Sequence, residues 1–229
     1  MKKTSPPLRI CKTEPPPREV PEPRWPVVIA VLASGGLYTA LPAALTLGPR
    51  WLFPGLVLAL LIPTILAHHT GRQRLNTLFG LAVESVLTLG LILAVLLLVR
   101  ALPERTEAPI ALLRSAASLW LTTILVFALW YWRLDAGGPH QREKRAGHAE
   151  GAFLFPQMTL SKRAISEAQQ QDWSPKFVDY LFLAFNTSTA FSPTDTPVLQ
   201  RWAKLLMMLQ SLLSLLILVL LAARAVNIL

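Results

Sequence analysis

The stretch "SPKFVDYLFLAFNTSTAFSP", residues 174–193, decides how this chain folds. It begins as a helix should: Ser174 suits an N-cap, Pro175 the first helical position, and Asp179 the positive end of the helix dipole. At Thr187, Ser188 and Thr189 the apolar run gives way to a hydroxyl-rich segment ending in Pro193. A helix over 175–188 is roughly 20 Å long at 1.5 Å per residue, short of the ~30 Å of hydrocarbon in a bilayer. In a membrane such a segment enters and turns back, because irregular backbone at depth survives only against protein or water.

The surrounding sequence supplies the membrane. Hydrophobic residues make up 53% of the 229 and charged residues 15%, against about a quarter charged in soluble proteins. Apolar segments at 26–47, 51–67, 78–99, 109–132 and 202–229 each approach the ~20 residues that a crossing needs. The predicted fold is an all-α membrane protein with five transmembrane helices plus one short re-entrant, pore-helix-like segment. Ser34, Gly35 and Gly36 predict close helix contact in the first crossing, and Pro54 and Pro63 a kink in the second. Trp25, Trp51, Trp130, Tyr131 and Trp132 fall at predicted ends, where an amphipathic ring prefers the interface.

Four regions follow. Residues 1–25 form a Pro-rich basic tail, expected to be disordered; prolines stand where the apolar core of a signal peptide would, so the tail is expected to be retained. Residues 26–132 form a four-helix transmembrane region, 133–173 a polar connection, and 174–229 the re-entrant helix, hydroxyl-rich loop and final crossing. If the short helix re-enters, nearly all of the 22 Lys and Arg fall on one side; only Arg50, Arg100 and Arg105 fall on the other, and Arg114 and Arg224 lie within helices. That bias predicts a cytoplasmic N-terminus and makes the connection cytoplasmic. It also assigns the +9 charge to topology, so the expected partner is a lipid bilayer and not nucleic acid. Cys11 stands alone, which excludes a disulfide framework. The connection has too few apolar residues for a core of its own. Within it "GAFLFPQMTL" is expected on the membrane surface, beside an amphipathic helix whose Lys162 and Arg163 meet anionic lipid.

Short helix, hydroxyl-rich loop and long helix, "AFNTSTAFSPTDTPVLQRWAKLLMMLQSLLSLLILVLLAARAVNIL", loosely resemble the pore helix, filter and inner helix of tetrameric potassium channels. The resemblance implies a homotetramer passing a monovalent cation, lined by Thr187, Ser188, Thr189, Ser192, Thr194 and Asp195. "TAFSPTD" departs from the potassium pattern: it has no glycine to turn carbonyls toward an ion, and Pro193 removes an amide. The charge bias also brings this segment in from the cytoplasm, whereas potassium filters enter from outside. Over its whole length the chain resembles a family of bacterial multi-pass membrane proteins of unknown function, through "DYLFLAF", "TAFSPTD" and the terminal "AVNIL". That implies an integral protein of the bacterial cytoplasmic membrane.

Three intramembrane polar residues stand apart. Glu84 is a carboxylate roughly 9 Å inside the third helix, where a charge costs about 2.5 kcal/mol or more and marks function by default. Arg114 lies near the opposite end of the fourth helix, roughly 13 Å away in depth, too far to pair with it. Thr122 and Thr123, nearer in depth, are its expected hydrogen-bond partners. Gln210 is expected either to join helices or to line a path. His68, His69, His140 and His148 have no metal-ligand spacing, and no phosphate loop or nucleophile elbow occurs, so neither metal, cofactor nor enzymatic activity is expected. The expected function is permeation through an ion-channel-like path; the alternatives are a small transporter using Glu84 and a non-conducting scaffold or accessory subunit.

Overall fold

The computed structural model describes residues 22–104, 109–144, 151–160, 173–189 and 196–226. The tail expected to be disordered lies outside them up to residue 21, as does the amphipathic helix expected beside "GAFLFPQMTL". The helices are α1 (Trp25–Thr39), α2 (Leu52–His69), α3 (Gln73–Glu104), α4 (Pro109–Leu134), α5 (Pro139–Arg142), α6 (Phe177–Thr189) and α7 (Arg201–Val226). Four of them, α2, α3, α4 and α7, are long and apolar enough to cross a membrane. The chain is therefore a helical, multi-pass membrane protein.

The first expected crossing, 26–47, is not one helix. Pro42 has no amide to donate back to Tyr38, and it holds the chain extended (φ −57°, ψ 156°), so α1 stops at Thr39 after 15 residues. At ~1.5 Å per residue that is about 22 Å. Residues 40–51 make up the rest as a folded cap: Leu41 and Leu45 are buried, and Tyr38 stacks on Phe53 with ring centroids 4.0 Å apart. In α2, Pro63 sits inside a helix that runs continuously from Leu52 to His69.

Helices α1 to α4 neighbour one another in a closed ring, α1 to α2, α2 to α3, α3 to α4 and α4 back to α1. Both α6 and α7 pack on the outer side of α4 and on each other. One end of the bundle gathers the start of α1, the end of α2, the start of α3 and the end of α4, together with Arg24, Arg72, Arg74, Arg133, Arg142 and Lys144. We call it the basic end.

Helix α6 starts there, since the Phe177 amide donates to Glu22 Oε1 at 2.6 Å. It finishes beside Trp120, whose indole N–H donates to the Ser188 carbonyl at 3.5 Å. Trp120 is a dozen residues, roughly 18 Å, along α4 from Trp132 at the basic end. Helix α7 nevertheless starts back at the basic end, where Val198 bridges Phe153 and Trp202 packs on Phe153. The short helix thus enters the bundle without crossing it. Its start differs from the expected one: Lys176, not Ser174, precedes the first turn, and Asp179 Oδ2 accepts the Lys176 amide at 2.8 Å, the second half of a capping box.

The connection after α4 also differs from expectation. The first half of "GAFLFPQMTL" turns inward instead of presenting its apolar side chains to a membrane surface. Phe153 and Phe155 are buried in the bundle core, with Phe153 set edge-on to Tyr131, Tyr180 and Trp202. The segment has no core of its own, so it borrows the apolar end of the α4–α6–α7 layer. The turn that delivers it is "DAGGP": Ala136, Gly137 and Gly138 all have positive φ, and a Cβ at Gly138 would stand 2.8 Å from the Arg133 carbonyl oxygen. Asp135 then fixes the returning chain by accepting the Ala152 amide and, at 2.6 Å, the Tyr180 hydroxyl.

Candidate functional site

Three of the hydroxyls expected to line a pore, those of Thr187, Ser188 and Thr189, have partners within the chain. Thr187 Oγ1 donates to the Leu183 carbonyl at 2.8 Å and Thr189 Oγ1 to that of Phe185 at 2.9 Å, each one helical turn back. Ser188 joins a buried cluster instead. Gln210 Nε2 donates to Ser188 Oγ at 2.7 Å and to the Ala184 carbonyl at 2.6 Å, Ser214 Oγ lies 2.9 Å from Ser188 Oγ, and the Tyr131 hydroxyl donates to Gln210 Oε1. Gln210 is fully buried with both ends of its amide satisfied, so it welds α4, α6 and α7 together at mid-depth. Ser192, Thr194 and Asp195 lie outside the described residues.

Glu84 is buried, 1% exposed, and its partner is a residue that the sequence reading passed over. Arg133 Nε donates to Glu84 Oε1. The expected partners turn away: Thr122 donates to the Ser118 carbonyl and Thr123 to that of Leu119, both at 2.8 Å. Arg114 is exposed near the far end of α4, about 28 Å along the helix from Arg133. Arg133 reaches Glu84 because α3 carries a glycine one turn below it. A Cβ at Gly80 would lie 2.2 Å from Arg133 Nη1, so the guanidinium occupies the place of that missing side chain. The signal was present in "GLAVE", a small residue and a carboxylate four apart on one helix face. The second Glu84 oxygen, Oε2, is buried and has no hydrogen-bond partner among the described residues.

Beside this pair, inside the α1–α4 ring at the basic end, lies a cavity of about 980 Å³. Val31, Leu61, Ile65 and Val83 form its apolar wall, and Arg24, His68 and Arg133 are among its polar groups. Beyond it, toward the far end, Leu87, Leu91, Ala94, Val95 and Leu98 of α3 are all fully buried.

A charged collar surrounds the cavity mouth. Trp132 is its hub: its indole donates to Glu22 Oε2 at 2.9 Å, and the guanidinium carbons of Arg24, Arg133 and Arg142 lie 5.2, 5.6 and 5.9 Å from its ring centroid. Arg142 caps the end of α4, donating to the Trp132 and Asp135 carbonyls at 2.7 and 2.9 Å. Arg24 pairs with Glu143 at 2.6 Å. Burial lowers the pKa of its guanidinium, while Glu143 and Glu22 oppose that shift.

Across the mouth His140 stacks on His68, with centroids 5.6 Å apart, and Asn76 Nδ2 contacts His140 Nε2 at 2.8 Å. The fold thus joins histidines that the sequence keeps 72 positions apart. Among the described residues no three His, Cys, Asp or Glu side chains converge as a metal site would require.

No family model matches this chain, and searches of curated proteins and of solved structures find no match either. The likeness to potassium channels and to a family of unknown function therefore gains nothing from them. What stands is a multi-pass helical membrane protein.

Proposed function

We propose that the protein is a small permeation protein of the transporter type, working through Glu84 and Arg133 beside the basic-end cavity. The observation that carries this reading is a buried ion pair whose Arg133 lines a cavity of about 980 Å³ set between four helices. Removing two charges from water costs several kcal/mol per ion, and Coulomb attraction in the interior repays this only when every remaining lone pair is satisfied. Among the described residues Glu84 Oε2 has no such partner. A pair that is poor value as structural glue is therefore better read as a working one, and an intramembrane carboxylate is a natural site for a proton or monovalent cation.

The lysine and arginine bias orients the basic end toward the cytoplasm of a bacterial cell, which makes the cavity a cytoplasmic vestibule. The buried apolar residues beyond it then form the closed side of an alternating-access cycle. A tetrameric pore lined by Thr187, Ser188 and Thr189 draws less support, because Thr187 and Ser188 are buried within the single chain and Ser188 Oγ already accepts from Gln210. The scaffold reading draws on the satisfied Gln210 cluster, which stiffens the α4–α6–α7 layer without needing a substrate. We propose no enzymatic activity. The test is flux into proteoliposomes under an imposed proton or sodium gradient, where Glu84→Gln is expected to reduce gradient-driven uptake at least tenfold. Equal uptake by the variant removes Glu84 from the mechanism.

A further inference from the structure

The Glu84 pair uses only part of Arg133. Among the described residues, the one hydrogen bond of its guanidinium is the one from Nε to Glu84. The two terminal amino groups remain, on a side chain that lines the cavity. A guanidinium presents its donors as a planar fork that matches the two oxygens of a carboxylate or phosphate. His68 lines the same cavity and offers a second site: its Nδ1 is buried without a hydrogen-bond partner among the described residues. The remainder of the wall includes the aliphatic side chains of Val31, Leu61, Ile65 and Val83. Ligand cavities of roughly 300–1,000 Å³, mostly apolar with a few convergent polar groups, bury most of a small organic molecule.

We propose that this cavity binds an amphiphilic anion, its single carboxylate or phosphate head on the Arg133 fork and its apolar body against Val31, Leu61, Ile65 and Val83. The charge of the head selects for Arg133, and the body separates it from inorganic ions, which gain nothing from an aliphatic wall. The position at the basic end allows two sources for one chemistry: an anionic lipid entering from the leaflet, or a soluble organic anion entering from the aqueous side. The proposal rests on the cavity being the working site of the preceding section, but binding is measured apart from flux, so the two readings fail separately. Binding without transport leaves the site and removes the transporter. Transport without binding does the reverse.

The experiment uses the full chain in phosphatidylcholine nanodiscs, titrated with hexyl phosphate, inorganic phosphate and hexanol by calorimetry. Hexyl phosphate is expected to bind at least tenfold more tightly than inorganic phosphate, and hexanol not to compete. Two variants keep the result interpretable. Glu84→Gln with Arg133→Gln removes both buried charges together, leaving neither orphaned, and Ile65→Trp fills the apolar half without touching a charge. Each is expected to weaken hexyl phosphate at least tenfold while retaining the wild-type thermal transition. Doping with phosphatidylglycerol then assigns the source: displacement of hexyl phosphate supports a lipid, and its persistence supports a soluble anion. Equal binding of hexyl phosphate and inorganic phosphate, or unchanged binding in a folded variant, overturns the proposal.

Discussion

The guanidinium of Arg133 lies against the backbone of Gly80, where a Cβ would stand 2.2 Å from Nη1, 2.3 Å from Cζ and 2.4 Å from Nη2. The contact joins α3 to α4 at the level where Arg133 takes hold of Glu84 one turn further in.

Gly80→Ala is therefore expected to push the guanidinium off its seat and loosen its hold on Glu84. Alanine favours a helix over glycine by about 1 kcal/mol, whereas breaking a buried pair costs about 3–5 kcal/mol. The net expectation is a loss of about 2–4 kcal/mol, read as a lower midpoint of denaturant unfolding in detergent. An increase in stability, as helix propensity alone would give, shows that the seat does not matter.

Gln210→Leu is expected to cost about 1–3 kcal/mol, because the Tyr131 hydroxyl is left buried without its acceptor. Its structural signature is local. Helix α6 loses both Gln210 contacts, at Ala184 and Ser188, so amide hydrogen exchange should rise over α6 and stay unchanged in the α1–α4 ring. Uniform protection across both regions would mean that the cluster is not what holds the re-entrant helix.

His140 gives a pH dependence with a defined sign. Burial first, then the positive charge of Arg24, holds its pKa below the ordinary histidine value, with Glu143 opposing. The folded state therefore prefers the neutral ring, and a Nε2 that accepts from Asn76 must lack a proton. Stability from this site is full above the unfolded value of about 6.5 and is lost as pH falls from there toward the lower folded value. The thermal midpoint should drop between pH 7.5 and pH 5, and His140→Gln should flatten that drop. An equal slope in the variant assigns the acid sensitivity elsewhere.

Subunit number separates the two permeation routes. A single-chain transporter built around the α1–α4 ring is expected to be functional as a monomer, read by native mass spectrometry from nanodiscs together with flux at matched lipid ratio. A tetramer whose flux vanishes on dissociation would return the path to the re-entrant segment.

Much of the fold was legible because a bilayer punishes exposed backbone and charge. Residues 174–193 read as a helix too short to cross, and α6 starts at the basic end and finishes partway along α4, while α7 starts at the basic end again. The first crossing was read as too long, because its apolar composition continues through Pro42 while its hydrogen bonding cannot. The site was legible only in part. Glu84 stood out as a buried carboxylate, but depth counting from an assumed helix start at residue 78 aimed it at Thr122 and Thr123. In the structure α3 begins at Gln73 and the long Arg133 side chain reaches inward, which no spacing along one helix reveals.

By itself, then, the sequence determined that this chain crosses a membrane repeatedly, that its charge gathers at one end, and that a short helix dips in from that end. Those are solvation properties of segments, each settled by its own residues against water or hydrocarbon. Only the tertiary structure decided that Arg133 seats on Gly80, that His68 meets His140, that Phe153 leaves the surface for the core, and that the Ser188 hydroxyl is consumed by Gln210. These are pairings between distant segments, and their physical reason is steric: which side chain fills which gap depends on helix register and crossing, which apolar periodicity leaves open.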